Sequence, residues 1–137
     1  MITMSAQYGA ALFSGDDAMF RLRVETTFAA AHKVVDSNGK CENLHGHTWT
    51  VELFVLGEKT EANGMVIDFA VLKTALQKVT EKLDHTYLNE NGDLGNPTTE
   101  NIAKYYFDQL KKTLPEKPKL EKVRVWESPK SWCEYLG

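Results

Sequence analysis

Three of the four histidines in this chain lie close together in the sequence, at positions 32, 45 and 47. Neutral imidazole is the commonest protein ligand for zinc, and three imidazoles leave one position of a tetrahedral ion open for water or a substrate oxygen. An open position is typical of a catalytic rather than a structural zinc site. His32, His45 and His47 therefore predict a catalytic metal centre.

The spacing of His45 and His47 fits this interpretation. If a strand begins near His45, residues two apart point to the same face, with their Cα atoms about 6.5 to 7 Å apart. Gly46 between them permits close backbone approach on the opposite face or a bulge. An isolated pair of this kind would more often be two surface imidazoles, but a third histidine and the nearby Cys41 favour a metal. A cysteine-based zinc finger is not indicated, because Cys133 is the only other cysteine.

Two further features have the residue types of a proton-transfer site. Cys41 lies four residues before His45. A thiol near a metal and an imidazole can have its pKa lowered from about 8.5 toward neutrality, which gives a thiolate able to take a proton. The fourth histidine follows an aspartate, as Asp84-His85, and such a carboxylate can orient an imidazole. Taken alone, the pair is more simply the end of a helix, where a cationic histidine is favoured.

Hydrophobic periodicity and turn residues predict the strands and helices that must position these residues. Asp68 is placed to cap a first helix, and Pro97 suits the first turn of a second. The first two strands form a hairpin along which the metal site lies. The predicted strands are 20–28, 48–57, 122–127 and 132–136, and the predicted helices run from Phe69 to about Leu83 and from Pro97 onward. The order ββααββ indicates an α+β fold.

Composition is that of an ordinary globular protein. The chain has 137 residues, 42% hydrophobic and 26% charged, which predicts one domain over residues 20–137. Residues 1–19 form an extension without the features of a signal peptide or membrane span. A net charge of -3 and the absence of a basic cluster argue against nucleic acid as a partner. Two distant cysteines favour a reducing, cytoplasmic compartment, with a Cys41–Cys133 disulfide as the open alternative.

Five segments together resemble the 6-pyruvoyltetrahydropterin synthase superfamily. They are Phe28-Ala29-Ala30-Ala31-His32, Cys41-x3-His45-Gly46-His47, Leu83-Asp84-His85, Pro97-Thr98-Thr99-Glu100-Asn101 and Val125-Trp126-Glu127-Ser128. Within it the chain is most similar to the 6-carboxytetrahydropterin synthases of the queuosine pathway. The resemblance implies the tunnelling fold, in which oligomerisation joins the sheets into a barrel. It also implies a homo-hexamer, formed by two trimers, with active sites at subunit interfaces.

The resemblance assigns the metal and the proton-transfer groups. The three histidines would hold Zn²⁺, and Cys41 would be the base that abstracts protons from the substrate. Asp84 and His85 would complete a proton relay with Cys41, and in this family the two come from a neighbouring subunit.

The resemblance also assigns contacts with a small-molecule pterin substrate. Glu127 would anchor the pterin ring, because a carboxylate can accept two parallel hydrogen bonds from the 2-amino group and a ring N–H. Thr98, Thr99 and Glu100 match a second ring-contacting segment of the family. For the two threonines, helix capping is the simpler alternative.

The implied reaction converts 7,8-dihydroneopterin triphosphate into 6-carboxy-5,6,7,8-tetrahydropterin and releases acetaldehyde and triphosphate. The alternative within the family is the pyruvoyl-forming synthase, which eliminates triphosphate and keeps both side-chain carbonyls. The short spacer between Cys41 and His45 favours the carboxy-forming branch, because the pyruvoyl-forming enzymes usually have a longer loop there. The alternative from another class is a non-catalytic zinc- or pterin-binding module. The presence of Cys41, Asp84 and His85 together argues against it, because a protein that only binds would need none of them.

Overall fold

A long antiparallel hairpin organises the chain, whose computed structural model describes residues 19–36, 38–40, 42–58, 60 and 62–137. Strand β1 spans Phe20–His32 and β2 spans His45–Gly57. Their register is unbroken from Phe20 opposite Gly57 to His32 opposite His45. Both strands are longer than predicted at the end near the histidines. The alanines and the Gly46 segment have little intrinsic strand preference there, but each strand supplies the other with a complete ladder of hydrogen bonds.

Two α-helices, a single-turn 3-10 helix at Leu88–Glu90 and three further strands complete the α+β fold of the described residues. The α-helices and strands are α1 at Phe69–Thr80, β3 at Thr86–Tyr87, α2 at Thr99–Thr113, β4 at Lys119–Ser128 and β5 at Ser131–Tyr135. The sheet order is β3-β1-β2-β4-β5. The predicted ββααββ order is confirmed, with β3 as an addition. This two-residue strand pairs parallel with β1 and is too short to produce an alternating sequence pattern.

Both helices begin at side-chain caps. The Asp68 carboxylate accepts from the Ala70 N–H at 2.9 Å, as predicted. Thr98 caps α2 by accepting from the Asn101 N–H at 3.1 Å, so Pro97 precedes the cap and does not lie in the first turn. Helix α1 ends at Thr80, earlier than predicted, because the following residues close into turns on its last carbonyls. None of the helices in the described ranges has the length and apolar character needed to cross a bilayer.

One face of the sheet packs against the two helices and forms the core. The strands contribute Val24, Phe28, Trp49, Val51, Leu53, Val123 and Val125, and the helices contribute Leu72, Leu76, Ile102, Tyr106 and Leu110. Phe28 and Trp49 are cross-strand partners and stack with their ring centroids 5.0 Å apart. Because side chains on one face recur every two residues, the three histidines continue this face beyond the stacked pair. The candidate metal site therefore lies at one end of the core.

The opposite, helix-free face carries a cluster of charges around Glu52. The Glu52 side chain is only 5% exposed. It accepts hydrogen bonds from the Trp126 indole N–H, the Arg23 guanidinium and, at 3.4 Å, Arg124. Burial by itself raises the pKa of Glu52, but the hydrogen bonds from Trp126 and Arg23 outweigh it and lower the pKa. Glu52 therefore stays ionised below the ordinary glutamate range.

We expect Glu52→Gln to destabilise the fold in a pH-dependent way. Breaking a buried ion pair costs about 3–5 kcal/mol, and we expect the lower end because the Arg23 side chain is 44% exposed. A lowered pKa stabilises the folded state above the unfolded-state pKa, and this contribution is lost as pH falls through the folded-state value. Denaturant unfolding at about pH 7 and about pH 3 should therefore show a smaller difference from the wild type at the lower pH. An equal difference at both would contradict this account of Glu52.

Candidate metal centre

The three predicted histidine ligands converge at one end of the hairpin. One ligand atom from each ring lies within 4.8 Å of the other two. His32 ends β1 and lies opposite His45 at the start of β2, and His47 lies opposite Ala30. His32 is completely buried, whereas the other two imidazoles are partly exposed. The hairpin register therefore brings together the three histidines that the sequence singled out.

Hydrogen bonds to carbonyl groups fix the tautomers of two of these rings. His32 Nδ1 lies 2.8 Å from the Pro97 carbonyl oxygen, and His45 Nδ1 lies 2.7 Å from that of Asn43. Because a carbonyl only accepts, each neutral ring must carry its proton on Nδ1. The two Nε2 atoms, which are 3.1 Å apart, then face each other with unprotonated lone pairs. Two such lone pairs can bind one cation together.

The donor set fits a divalent metal. Two nitrogens bound tetrahedrally to zinc at ordinary Zn–N lengths are about 3.3 Å apart, close to the separation of the two Nε2 atoms. A metal-binding histidine also usually donates its other N–H to a carbonyl or carboxylate, as His32 and His45 both do. Burial lowers the pKa of His47 despite the opposing charge of Glu127, which favours the neutral form that binds metals. The triad can therefore hold a metal ion.

Glu127 and Thr99 lie beside the triad. Glu127 Oε2 is 3.8 Å from His47 Nε2, and the Thr99 hydroxyl donates to the same carboxylate oxygen at 3.4 Å. Strand β4 supplies the carboxylate, and the first residue of α2 supplies the hydroxyl. The Glu127 side chain is 37% exposed, so a ligand can reach it. A histidine triad that could hold a metal ion and a carboxylate that can accept hydrogen bonds thus lie side by side at one accessible edge of the sheet.

The remaining predicted site residues and the second cysteine do not join the triad among the described residues. The Thr98 side chain is engaged as the cap of α2. Glu100 is exposed in the first turn of that helix. Cys133 is a free, half-buried thiol on β5, and burial, followed by the charge of Glu100, raises its pKa to about 11. Cys41 lies outside the described residues, as does the predicted N-terminal extension except for Met19.

Asp84 and His85 follow α1 and are fixed against β1. Asp84 Oδ1 accepts from the Ala29 N–H at 2.9 Å, and the His85 N–H donates to the Ala29 carbonyl at 2.6 Å. The hydrogen bond from Ala29, assisted by His85 Nδ1 at 3.0 Å from the other carboxylate oxygen, lowers the pKa of Asp84. His85 adopts a φ of 60°, which is uncommon outside glycine, and its ring is exposed. The pair is therefore anchored to the sheet and lies beyond the end of α1.

The register places His85 beside Ala29, a position that alternates with those of the three histidines along the hairpin. The shallow depression that His85 lines includes Ala29, Ala31 and Gly46, and also His47. The ladder is continuous at Gly46, so the bulge considered as one alternative is not present there. A Cβ at Gly46 would meet its nearest atom, the Ala30 carbonyl oxygen, at an ordinary 3.6 Å. Packing within this chain therefore does not require glycine at that position.

Comparisons with known proteins agree with this geometry. The family model described as "6-pyruvoyl tetrahydropterin synthase" matches residues 21–137. A 6-carboxy-5,6,7,8-tetrahydropterin synthase from Bacillus subtilis is 36% identical over 126 residues, which cover 85% of this chain and 84% of the relative. A dihydroneopterin monophosphate aldolase from Pyrococcus furiosus is 41% identical over 107 residues, 78% of this chain and 89% of the relative.

A solved structure is similar over nearly the whole described chain. The 6-pyruvoyl tetrahydropterin synthase of Caenorhabditis elegans superposes with a TM-score of 0.78 at 30% identity, and the match covers 88% of this chain and 96% of that chain. The α+β architecture of this chain is thus that of the tunnelling-fold synthases. From the family match, the relatives and the fold together, this chain belongs to the 6-pyruvoyl tetrahydropterin synthase family.

Proposed function

We propose that this protein is a zinc-dependent 6-carboxytetrahydropterin synthase. In this proposal it converts 7,8-dihydroneopterin triphosphate and water into 6-carboxy-5,6,7,8-tetrahydropterin, acetaldehyde and triphosphate, in the cytoplasmic synthesis of queuosine. The observation that carries the proposal is the convergence of three imidazoles, with His32 Nε2 and His45 Nε2 3.1 Å apart, beside the Glu127 carboxylate. The name of the Bacillus subtilis relative supports the choice of product.

Glu127 is proposed to bind the pterin ring. The ring presents a 2-amino group and a neighbouring N–H on one edge, and one carboxylate can accept from both. The Thr99 hydroxyl, which donates to Glu127 at 3.4 Å, would hold that carboxylate in orientation. Because Glu127 also lies 3.8 Å from His47, a ring bound there would direct its side chain toward the triad. Thr98 and Glu100 are proposed as neighbours of the ring, with Thr98 acting mainly through the helix cap.

The proposed chemistry consists of proton transfers on the substrate side chain. His32, His45 and His47 would hold Zn²⁺, which acts when bound as a Lewis acid that acidifies the side-chain hydroxyl groups. Cys41 is proposed as the base that removes a proton from the side chain. Asp84 orients the His85 ring through Nδ1, which leaves Nε2 free to exchange a proton with the thiol of a neighbouring subunit.

A shared site requires an oligomer, and we propose the hexamer of the family. His85 lies beside Ala29, on the alternation opposite to that of the triad of its own chain, which faces the helices. Beyond its contact with the two-residue β3, strand β1 has an open edge among the described residues, and β5 forms the opposite edge of the sheet. Open strand edges are liabilities unless another strand or subunit covers them. Edge-to-edge assembly would cover both and bring the relay to a partner's site.

A second candidate function is an aldolase. The 41% identity to the Pyrococcus furiosus dihydroneopterin monophosphate aldolase favours it as the alternative. Aldol cleavage of a phosphorylated dihydroneopterin side chain would release a phosphorylated two-carbon aldehyde, whereas the proposed synthase releases acetaldehyde. The pyruvoyl-forming reaction would release no aldehyde. The carbonyl product therefore separates all three reactions.

Trapping the released carbonyl compound tests the proposal. Metal-free and zinc-loaded protein are incubated with 7,8-dihydroneopterin triphosphate, and aldehydes are captured as hydrazones and identified by mass. We expect acetaldehyde only from the zinc-loaded protein, with release restored when zinc is returned to the metal-free sample. The monophosphate substrate serves as the control for aldolase activity. A phosphorylated aldehyde, or no aldehyde from a zinc-loaded sample that consumes substrate, would refute the carboxy-forming assignment.

A further inference from the structure

The Asn89 side-chain amide continues the hydrogen bonding between β1 and β3 beyond the point where β3 ends. Ala31 pairs with Tyr87, an offset of 56 residues, and the same offset relates Lys33 to Asn89. The Lys33 N–H donates to Asn89 Oδ1 at 2.8 Å, and Asn89 Nδ2 donates to the Lys33 carbonyl at 2.8 Å. The Asn89 side chain thus takes the place of the two hydrogen bonds that a longer β3 would make with Lys33.

A second asparagine makes the same contact two residues later. The Val35 N–H donates to Asn96 Oδ1 at 2.9 Å, and Asn96 Nδ2 donates to the Val35 carbonyl at 2.8 Å. On the intervening residue, the Val34 carbonyl accepts from the Glu42 N–H at 2.8 Å. The segment 33–35 is therefore hydrogen-bonded on alternate sides, although no full strand lies beside it in the described part of the chain.

These contacts hold the chain on both sides of His32, the buried candidate ligand. His32 lies between Ala31, which β3 holds, and Lys33, which Asn89 holds. The residue after Asn96 is Pro97, whose carbonyl accepts the His32 Nδ1 proton. The Asn96 carbonyl in turn accepts from Asn101 Nδ2 at 2.7 Å, which ties this segment to α2. The asparagines therefore hold the backbone beyond His32 and the carbonyl that orients its ring.

We propose that Asn89 and Asn96 are positioning residues for the metal centre. They extend the ladder past His32, so that the ligand lies inside a hydrogen-bonded segment and is protected from the fraying typical of strand ends. Without the two amides, the N–H and C=O groups of Lys33 and Val35 would lose their partners. This inference rests on the proposed metal-binding function and concerns how the site is kept in its binding geometry.

Zinc affinity of the metal-free protein tests this inference. The variants are Asn89→Ala and Asn96→Ala, with Asn89→Asp and Asn96→Asp as isosteric variants that keep the acceptor but lose the donor. Asn91→Ala is the matched control, because the Asn91 side chain caps a local turn by accepting from the Asp93 N–H at 3.0 Å. Zn²⁺ is titrated in competition with a chromogenic chelator, and amide hydrogen exchange is followed over residues 30–42.

We expect weaker zinc binding in the variants of Asn89 and Asn96. Loss of a residue that hydrogen-bonds a metal ligand costs about 10- to 100-fold in affinity, and these amides act one contact farther away, so about tenfold is expected for each alanine variant. The control should stay within about twofold of the wild type. Hydrogen exchange over 30–42 should accelerate in the same variants and not in the control. If an alanine variant does not fold, the isosteric aspartate variant decides the result.

Two outcomes would overturn the inference, and they are distinguishable. Faster exchange with unchanged zinc affinity would mean that the asparagines stabilise the loop without positioning the ligand, and the proposed function would be untouched. A wild-type protein that binds no zinc would refute the metal-binding function and this inference with it.

Discussion

Replacing Cys41 with alanine is expected to lower turnover by about 10²- to 10⁴-fold, the usual contribution of a general base, while the protein keeps its metal. The proposal makes Cys41 the proton-abstracting group and leaves metal binding to the three histidines, whose ligand atoms already lie within 4.8 Å of one another. Turnover and zinc content are measured on the same preparation, so that the two roles are separated. Cys41→Ser should be similarly inactive, because a hydroxyl does not ionise near neutral pH.

The second cysteine provides the matched control for this experiment. Cys133 is a free thiol on β5 whose pKa burial raises to about 11, so it cannot act as a thiolate base at neutral pH. Cys133→Ala should therefore turn over at close to the wild-type rate. Wild-type turnover by Cys41→Ala would remove the thiol from the mechanism. Loss of zinc together with turnover would instead place Cys41 among the metal ligands.

Replacing His32 with alanine is expected to abolish zinc binding and also to destabilise the metal-free protein. The His32 ring is completely buried, and its Nδ1 proton satisfies the Pro97 carbonyl at 2.8 Å. Truncation leaves a buried acceptor without its donor, which costs about 1–3 kcal/mol. Denaturant unfolding of the metal-free variant measures this cost, and metal analysis measures the loss of zinc.

His45 supplies the comparison, because it shares the metal role but not the burial. The His45 side chain is 37% exposed, and water can replace its hydrogen bond to the Asn43 carbonyl. We therefore expect His45→Ala to lose zinc with little change in the stability of the metal-free protein. Retention of wild-type zinc affinity by either variant would contradict the assignment of the triad. Equal destabilisation by both would contradict the structural role assigned to His32.

The convergence of the three histidines was predictable because it depends on local geometry. Alternation places His45 and His47 on one face, and a hairpin register brings His32 opposite His45. The acceptors that fix the ring tautomers were not predictable, since Pro97 and Asn43 act through carbonyl groups that every residue has. The sequence offered no signal for those contacts beyond the position of Pro97 in a recognised motif.

The contacts that position Asp84, His85 and Asn89 could not be predicted from the sequence, for a different reason. Asp84, His85 and Asn89 all take their positions from the pairing of β3 with β1 across more than fifty residues. A two-residue strand leaves no periodic pattern in the sequence, so neither the face on which His85 lies nor the contact between Asn89 and Lys33 follows from local rules. The role of Cys41 stays a prediction.

Identification of the pterin product tests the central proposal most directly. Zinc-loaded protein is incubated with 7,8-dihydroneopterin triphosphate, and the pterins are separated without oxygen and identified by mass alongside the trapped aldehyde. The proposed mechanism predicts 6-carboxy-5,6,7,8-tetrahydropterin together with an equimolar amount of acetaldehyde. Formation of 6-pyruvoyltetrahydropterin as the pterin product, with no aldehyde released, would contradict it.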